Sequence, residues 1–180
     1  MTELVPADAA REAISQYDKN GDGALALSEL SPALLAAKKQ IDTNGDGRLT
    51  VEEITARLTS WIANKQAVRN VTCIVKWQGQ PLAGADVSFI PEEFLGPKFR
   101  RAGGRTSDDG VTEILHAHPD RPDPDIREGV RVGLYRIEVS KKELYKETLP
   151  EEFNIGSRFG QEIAVDADGI EDGVITLQLQ

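Results

Sequence analysis

Two stretches of the chain carry the same oxygen donors at the same spacing: Asp18-Lys19-Asn20-Gly21-Asp22-Gly23-Ala24-Leu25-Ala26-Leu27-Ser28-Glu29 and Asp42-Thr43-Asn44-Gly45-Asp46-Gly47-Arg48-Leu49-Thr50-Val51-Glu52-Glu53. Each places Asp, Asn and Asp at positions one, three and five, glycine at six and glutamate at twelve. Alternate residues turn side-chain oxygens inward, which suits a hard dication that takes about six to eight oxygens. Position seven ligates through its carbonyl, so Ala24 and Arg48 join the donor set whatever their side chains. Glu29 and Glu53 can each offer two oxygens, a choice that favours calcium over the smaller, stricter magnesium. The spacing thus implies two calcium ions, one on Asp18, Asn20, Asp22, Ala24 and Glu29, the other on Asp42, Asn44, Asp46, Arg48 and Glu53. At position nine Ala26 has no ligating side chain and Thr50 only a hydroxyl, so a water is expected to complete each sphere. Polar turns use the same residue types. Two in-register copies 24 residues apart, each closed by glutamate, argue for metal instead.

The segments around these loops have helical period. Ala10, Ala13, Ile14 and Tyr17 share one face before the first loop, and Val51, Ile54, Leu58 and Trp61 or Ile62 share one after the second. Ser31-Pro32 reads as an N-cap with proline at the first helical position, predicting a separate helix from Pro32 to Ile41 with Leu30, Leu34 and Ile41 on one side. Residues 7–65 resemble an EF-hand pair. That resemblance implies hands paired back to back at loop position eight, here Leu25 against Leu49. The connector is shorter than in calmodulin-like sensors, and Met1 is the single methionine where sensor grooves are Met-rich. Both departures argue against a large opening motion.

Near residues 64–70 the helical period gives way to alternation. Val71-Cys73-Val75-Trp77, Val87-Phe89, Leu134 to Val139 and Val174 to Leu179 alternate, with shorter candidates at 104–106, 111–115 and 162–165. Turn residues separate them: Gly79-Gln80-Pro81, Asp108-Asp109-Gly110, Asp168-Gly169 and Asp172-Gly173. About seven short strands over this length predict an antiparallel sandwich. Gly79, Pro81, Leu82, Gly84 and Ala85, then Asp108 to Gly110, then Gly133, Tyr135, Ile137 and Val139, resemble the punctuation of transthyretin-like, carboxypeptidase-regulatory-like sandwich domains over residues 70–180. That family is common in bacterial envelope proteins, and its motifs mark a fold more than an activity. The expected class is α+β in two domains: 1–65 an α-helical EF-hand pair, and 66–180 an all-β, Ig-like sandwich expected to fold without metal.

Other chemistry-bearing residues have plainer readings. His116 and His118 form an H-x-H pair such as intradiol dioxygenases use for iron, but there two tyrosines precede the pair, whereas Tyr135 and Tyr145 follow it here. Pro119, Pro122 and Pro124 come directly after, so a solvated loop is expected. Hydroxyisourate hydrolases, related by fold, end in Tyr-Arg-Gly-Ser; this chain ends Leu177-Gln178-Leu179-Gln180. Cys73, on the apolar side of a strand, reads as a core thiol. Lys98, Arg100, Arg101 and Arg105 read as a solvated connection, with a partner-binding loop as the alternative. Asp166 to Gly173 lacks the fifth- and twelfth-position donors of a third loop and reads as an acidic turn.

Thirty acids against 21 bases give a net charge of −9, which argues against nucleic acid as a partner. No apolar run is long enough to span a bilayer as a helix. Residues 1–6 lack a secretory signal, so the protein is cytoplasmic or the chain has been trimmed of one. The sandwich resemblance favours the latter, with an extracytoplasmic setting in the periplasm or at the cell surface. The expected role is a non-enzymatic, calcium-stabilised structural or adhesion module, with a possible protein or cell-surface partner; a calcium-responsive switch is the rival and a metal-dependent enzyme the third reading.

Overall fold

Helix α1 (Pro6–Tyr17) starts at a proline, which needs no N–H partner in a first turn, and buries Ala9, Ala10 and Ala13. Strand β1 (Ala24–Leu25) pairs with β2 (Leu49–Thr50), with Leu25 opposite Leu49 as the EF-hand resemblance implied. Between them α2 runs Pro32–Ile41; the Ser31 hydroxyl accepts from Leu34 N–H at 3.1 Å, so the proposed N-cap is real. Helix α3 (Val51–Ala63) opens on a capping box in which Thr50 Oγ accepts from Glu53 N–H and Glu53 accepts from Thr50 N–H. The computed structural model describes residues 4–65, 67–115 and 129–180. The His116/His118 reading lies outside them.

Twelve strands follow: β3 (Val68–Arg69), β4 (Val71–Trp77), β5 (Gln80–Pro81), β6 (Asp86–Pro91), β7 (Ala102–Arg105), β8 (Val111–Ile114), β9 (Val130–Arg131), β10 (Gly133–Ser140), β11 (Lys142–Glu143), β12 (Lys146–Glu147), β13 (Phe159–Ile163) and β14 (Val174–Leu179). One sheet has the order β13-β10-β6-β7; the other is β14-β4-β5 with β8 also on β4. Their facing side chains form one core: Val71, Cys73 and Val75 from β4, Ile175, Leu177 and Leu179 from β14, and Val87, Phe89, Tyr135, Ile137 and Val139 opposite.

The expected all-antiparallel pairing needs one correction. Strand β14 runs parallel to β4, Val174 opposite Thr72 and Leu179 opposite Trp77. After β13 the chain crosses between sheets and enters β14 beside the start of β4, where Thr72 N–H donates to Gly173 O at 2.8 Å. No hairpin joins the two strands, so their direction is free of hairpin geometry. Strand β13 also begins earlier than the alternation suggested, at Phe159.

The helices do not stand off on a linker. A second core draws Ala33, Leu34, Ala37 and Ile41 of α2, with Ile54, Leu58 and Trp61 of α3, onto Phe94, Leu95, Val132, Leu134 and Ala164. Leu134 therefore faces the helices while its neighbour Tyr135 faces the sandwich core. Helix α2 lies directly on β13 and β10. At the closest point Gly160 is obligatory, since a Cβ there would sit 2.0 Å from the carbonyl of Pro32 and 2.4 Å from Ala33 N.

Candidate metal centre

Helix α1 delivers Asp18 to the head of the first loop, and α2 delivers Asp42 to the head of the second. From there the two loops make the same hydrogen bonds position by position. Asp18 accepts from Gly21 N–H at 2.7 Å and Gly23 N–H at 2.9 Å; Asp42 accepts from Gly45 N–H at 2.8 Å and Gly47 N–H at 3.0 Å. Asn20 and Asn44 accept from Asp22 and Asp46 N–H, and Asp22 and Asp46 from Ala24 and Arg48 N–H. Glu29 reaches back across its loop to Lys19 N–H at 2.9 Å and Asn20 N–H at 3.2 Å; Glu53 does the same to Thr43 and Asn44 at 3.1 and 3.4 Å. Each loop is thus closed by its own glutamate.

Gly23 and Gly47 take φ of +84° and +86°, as position six requires. Gly21 and Gly45 at position four do likewise, at +74° and +73°, a repeated constraint visible in the sequence as Asn-Gly-Asp-Gly. Thr50, the weak donor at position nine, spends its hydroxyl on capping α3 and hydrogen-bonding Glu53 at 2.9 Å.

The donor set is all oxygen, and a carboxylate that accepts an N–H keeps further lone pairs. The two loops therefore fit a calcium ion chemically. Among the described residues no group of three His, Cys, Asp or Glu side chains converges as a metal site; the first-position Asp and the closing Glu of each loop accept from its backbone N–H groups. Two cations already bear on the loops. Burial pushes the Asp22 carboxyl up, but the Ala24 N–H and Arg48, which reaches across from the second loop, outweigh this and hold it below its usual range. Lys38, at 2.9 Å, is the main reason Asp42 lies low as well.

Polar contacts tie the helices to the sheets, and sequence reasoning missed all of them. Arg57 of α3, 8% exposed, donates to Glu162 at 2.7 Å and makes a two-pronged contact with Asp166 at 2.9 Å; Trp61 Nε1 also donates to Glu162, at 2.8 Å. Asp168 pairs with Lys39 at 3.2 Å, so the acidic turn grips two helices. Glu92, 7% exposed, accepts from the hydroxyls of Tyr17, at 2.6 Å, and Ser31. Burial pushes the Glu92 carboxyl above its ordinary range against the pull of those hydroxyls and of Arg136. A Glu just after a strand, here the first of Glu92-Glu93, carries no sequence signal for this.

The remaining candidates separate. Cys73 is fully buried and its thiol is pushed up to about 12 by that burial, so it is no nucleophile. Tyr135 is buried with its hydroxyl on Arg131 O, while Tyr145 stands fully exposed at the β11–β12 tip, so the two do not converge. Arg101 and Arg105 make surface pairs with Glu138 and Asp86, both at 3.6 Å.

A family model described as EF hand matches residues 39–58, which take in the whole second loop. That match suggests calcium as a ligand. No curated protein and no solved structure matches the chain.

Proposed function

We propose that this chain is a non-enzymatic calcium-binding protein that holds two ions, one in each loop, and uses them to fix a helical pair against a sandwich. The observation that carries the reading is the equivalence of the backbone N–H hydrogen bonds in the two loops, position by position, around the Leu25–Leu49 bridge. Asp18, Asn20, Asp22, Glu29 and the Ala24 carbonyl would hold one ion; Asp42, Asn44, Asp46, Glu53 and the Arg48 carbonyl the other. Calcium would supply two positive charges to each group of three carboxylates that otherwise repel. At free calcium about 100 times the dissociation constant, one site adds about 2.7 kcal/mol to the folded form.

The apolar face that a sensor pair would offer to a target is covered here by Phe94, Leu95, Val132 and Leu134. This supports a structural or adhesion role over a trigger. An extracytoplasmic setting at a bacterial envelope, where calcium is abundant, agrees with the sandwich motifs. A signal or lipid-anchor sequence in the upstream reading frame would test it. The switch reading draws on the Arg48–Asp22 contact, which an arriving ion would contest. Calorimetric titration of the full chain with calcium should give two ions per molecule; a stoichiometry of one would overturn the paired reading.

A further inference from the structure

Tyr17 immediately precedes Asp18, the first residue of loop one, and Ser31 follows Glu29, the last, by two residues. Both hydroxyls donate to the same carboxylate: Tyr17 Oη to Glu92 Oε2 at 2.6 Å, and Ser31 Oγ to Glu92 Oε1. One side chain from the sandwich thus pins both ends of the first calcium loop. Glu92 itself is anchored, because its N–H donates to Leu134 O at 3.0 Å and its carbonyl accepts from Leu95 N–H at 3.2 Å. The helix start that bears Ser31 has no room to drift on its other side, where Pro32 lies on the backbone of Gly160. Among the described residues no side chain bridges the flanks of the second loop in this manner.

We infer that Glu92 is a positioning residue for the first calcium site: it sets the separation of the loop's two ends, so docking of the helices on the sheet and calcium affinity at that site are coupled. The proposal rests on the calcium reading above. A buried carboxylate with two hydroxyl donors is costly to desolvate, and it returns that cost only while both donors stay in place. Asp18 and Glu29 supply side-chain oxygens from opposite ends of the loop, so the distance between those ends enters the ion's affinity directly. Coupling is reciprocal. Calcium in loop one must tighten the helices onto Glu92 by the factor that Glu92 tightens calcium.

The test reads each site by itself in the full chain, with calcium as the titrant. Glu53→Gln leaves site one to be measured, and Glu29→Gln leaves site two. Adding Glu92→Leu should weaken site one about tenfold and site two less than about twofold. Glu92→Gln, which keeps the shape and an acceptor, should restore site one to within about threefold. Equal weakening of both sites, or an unchanged site one, overturns the proposal, the first showing general destabilisation. Should Glu92→Leu fail to fold, Tyr17→Phe removes only one hydroxyl and carries the same comparison, with about a threefold loss expected at site one alone. If neither background binds calcium with Glu92 intact, the calcium reading itself is at fault and takes this inference with it.

Discussion

Glu29 and Glu53 carry the most at the scale of single residues, because each closes its loop onto backbone at the far end. Glu29→Gln should weaken the first calcium site and Glu53→Gln the second, each by more than about tenfold, or ~1.4 kcal/mol, read by terbium luminescence. Their position at the end of each loop was legible because the geometry of an oxygen-lined loop forces type and spacing together. Glu92 and Glu162 were not legible, since their partners lie far away in sequence and a surface glutamate looks the same. Two buried or paired acids also set opposite pH dependences. Asp166 sits below its usual range, first because Arg57 hydrogen-bonds it. It stabilises the fold above the unfolded carboxyl value of about 3.9, and that contribution is lost as pH falls through the lower folded value. Glu92 is raised by burial, so the fold prefers its protonated form and stability declines as pH climbs from about 4.3 through the folded value. Calcium-free denaturation should therefore show a flatter acid limb in Asp166→Asn and a flatter slope above the unfolded carboxyl value of about 4.3 in Glu92→Gln. Wild-type slopes in both variants would contradict these assignments.

Between elements, the seating of α2 on β13 depends on a residue with no side chain. Gly160→Ala would drive a Cβ into the Pro32 carbonyl, and the helix must lift because backbone cannot yield as a side-chain tip can. A loss of at least about 1–3 kcal/mol in denaturant unfolding is expected. Helix α3 is held differently. Arg57→Ala would leave Glu162, 1% exposed, without its cation, a change that costs about 3–5 kcal/mol where a buried pair is broken from one side. The β11–β12 hairpin offers the reverse case. Its tip residues Leu144 and Tyr145 are 97% and 101% exposed with φ of +49° and +68°, a turn that asparagine and glycine adopt more easily. Leu144→Asn with Tyr145→Gly should raise stability by about 0.5–1 kcal/mol in the same assay. The α2 boundaries and the long strands followed from local pattern, since capping and alternation are local causes, whereas the Leu25–Leu49 bridge followed only from the EF-hand resemblance. The β4–β14 parallel pairing and the short strands did not, because a crossover between sheets leaves no mark on the alternation of either strand.

Over the whole molecule, three layers share two cores, and the outer one exists only while the helices cover the sheet. A fragment of residues 67–180 keeps the core between the sheets but would bare Phe94, Leu95, Val132 and Leu134. It should melt cooperatively, below the intact chain, and indifferently to chelator. Alternation anticipated the β-rich part of the chain and its long strands; the second core was hidden because Leu134 sits in a strand whose neighbours Tyr135 and Ile137 face the other way. On the calcium reading proposed above, the same covering decides what the ion does. With the helical pair's apolar face already against the sheet, loading the loops should draw the layers together and present no new groove. Fluorescence of a hydrophobic dye followed through a calcium titration of the full chain tests this most directly. The account predicts that the signal falls or stays level as two ions bind, with a higher melting temperature at saturation. A calcium-induced rise in dye binding would mean newly exposed apolar surface, and the switch reading would replace this one.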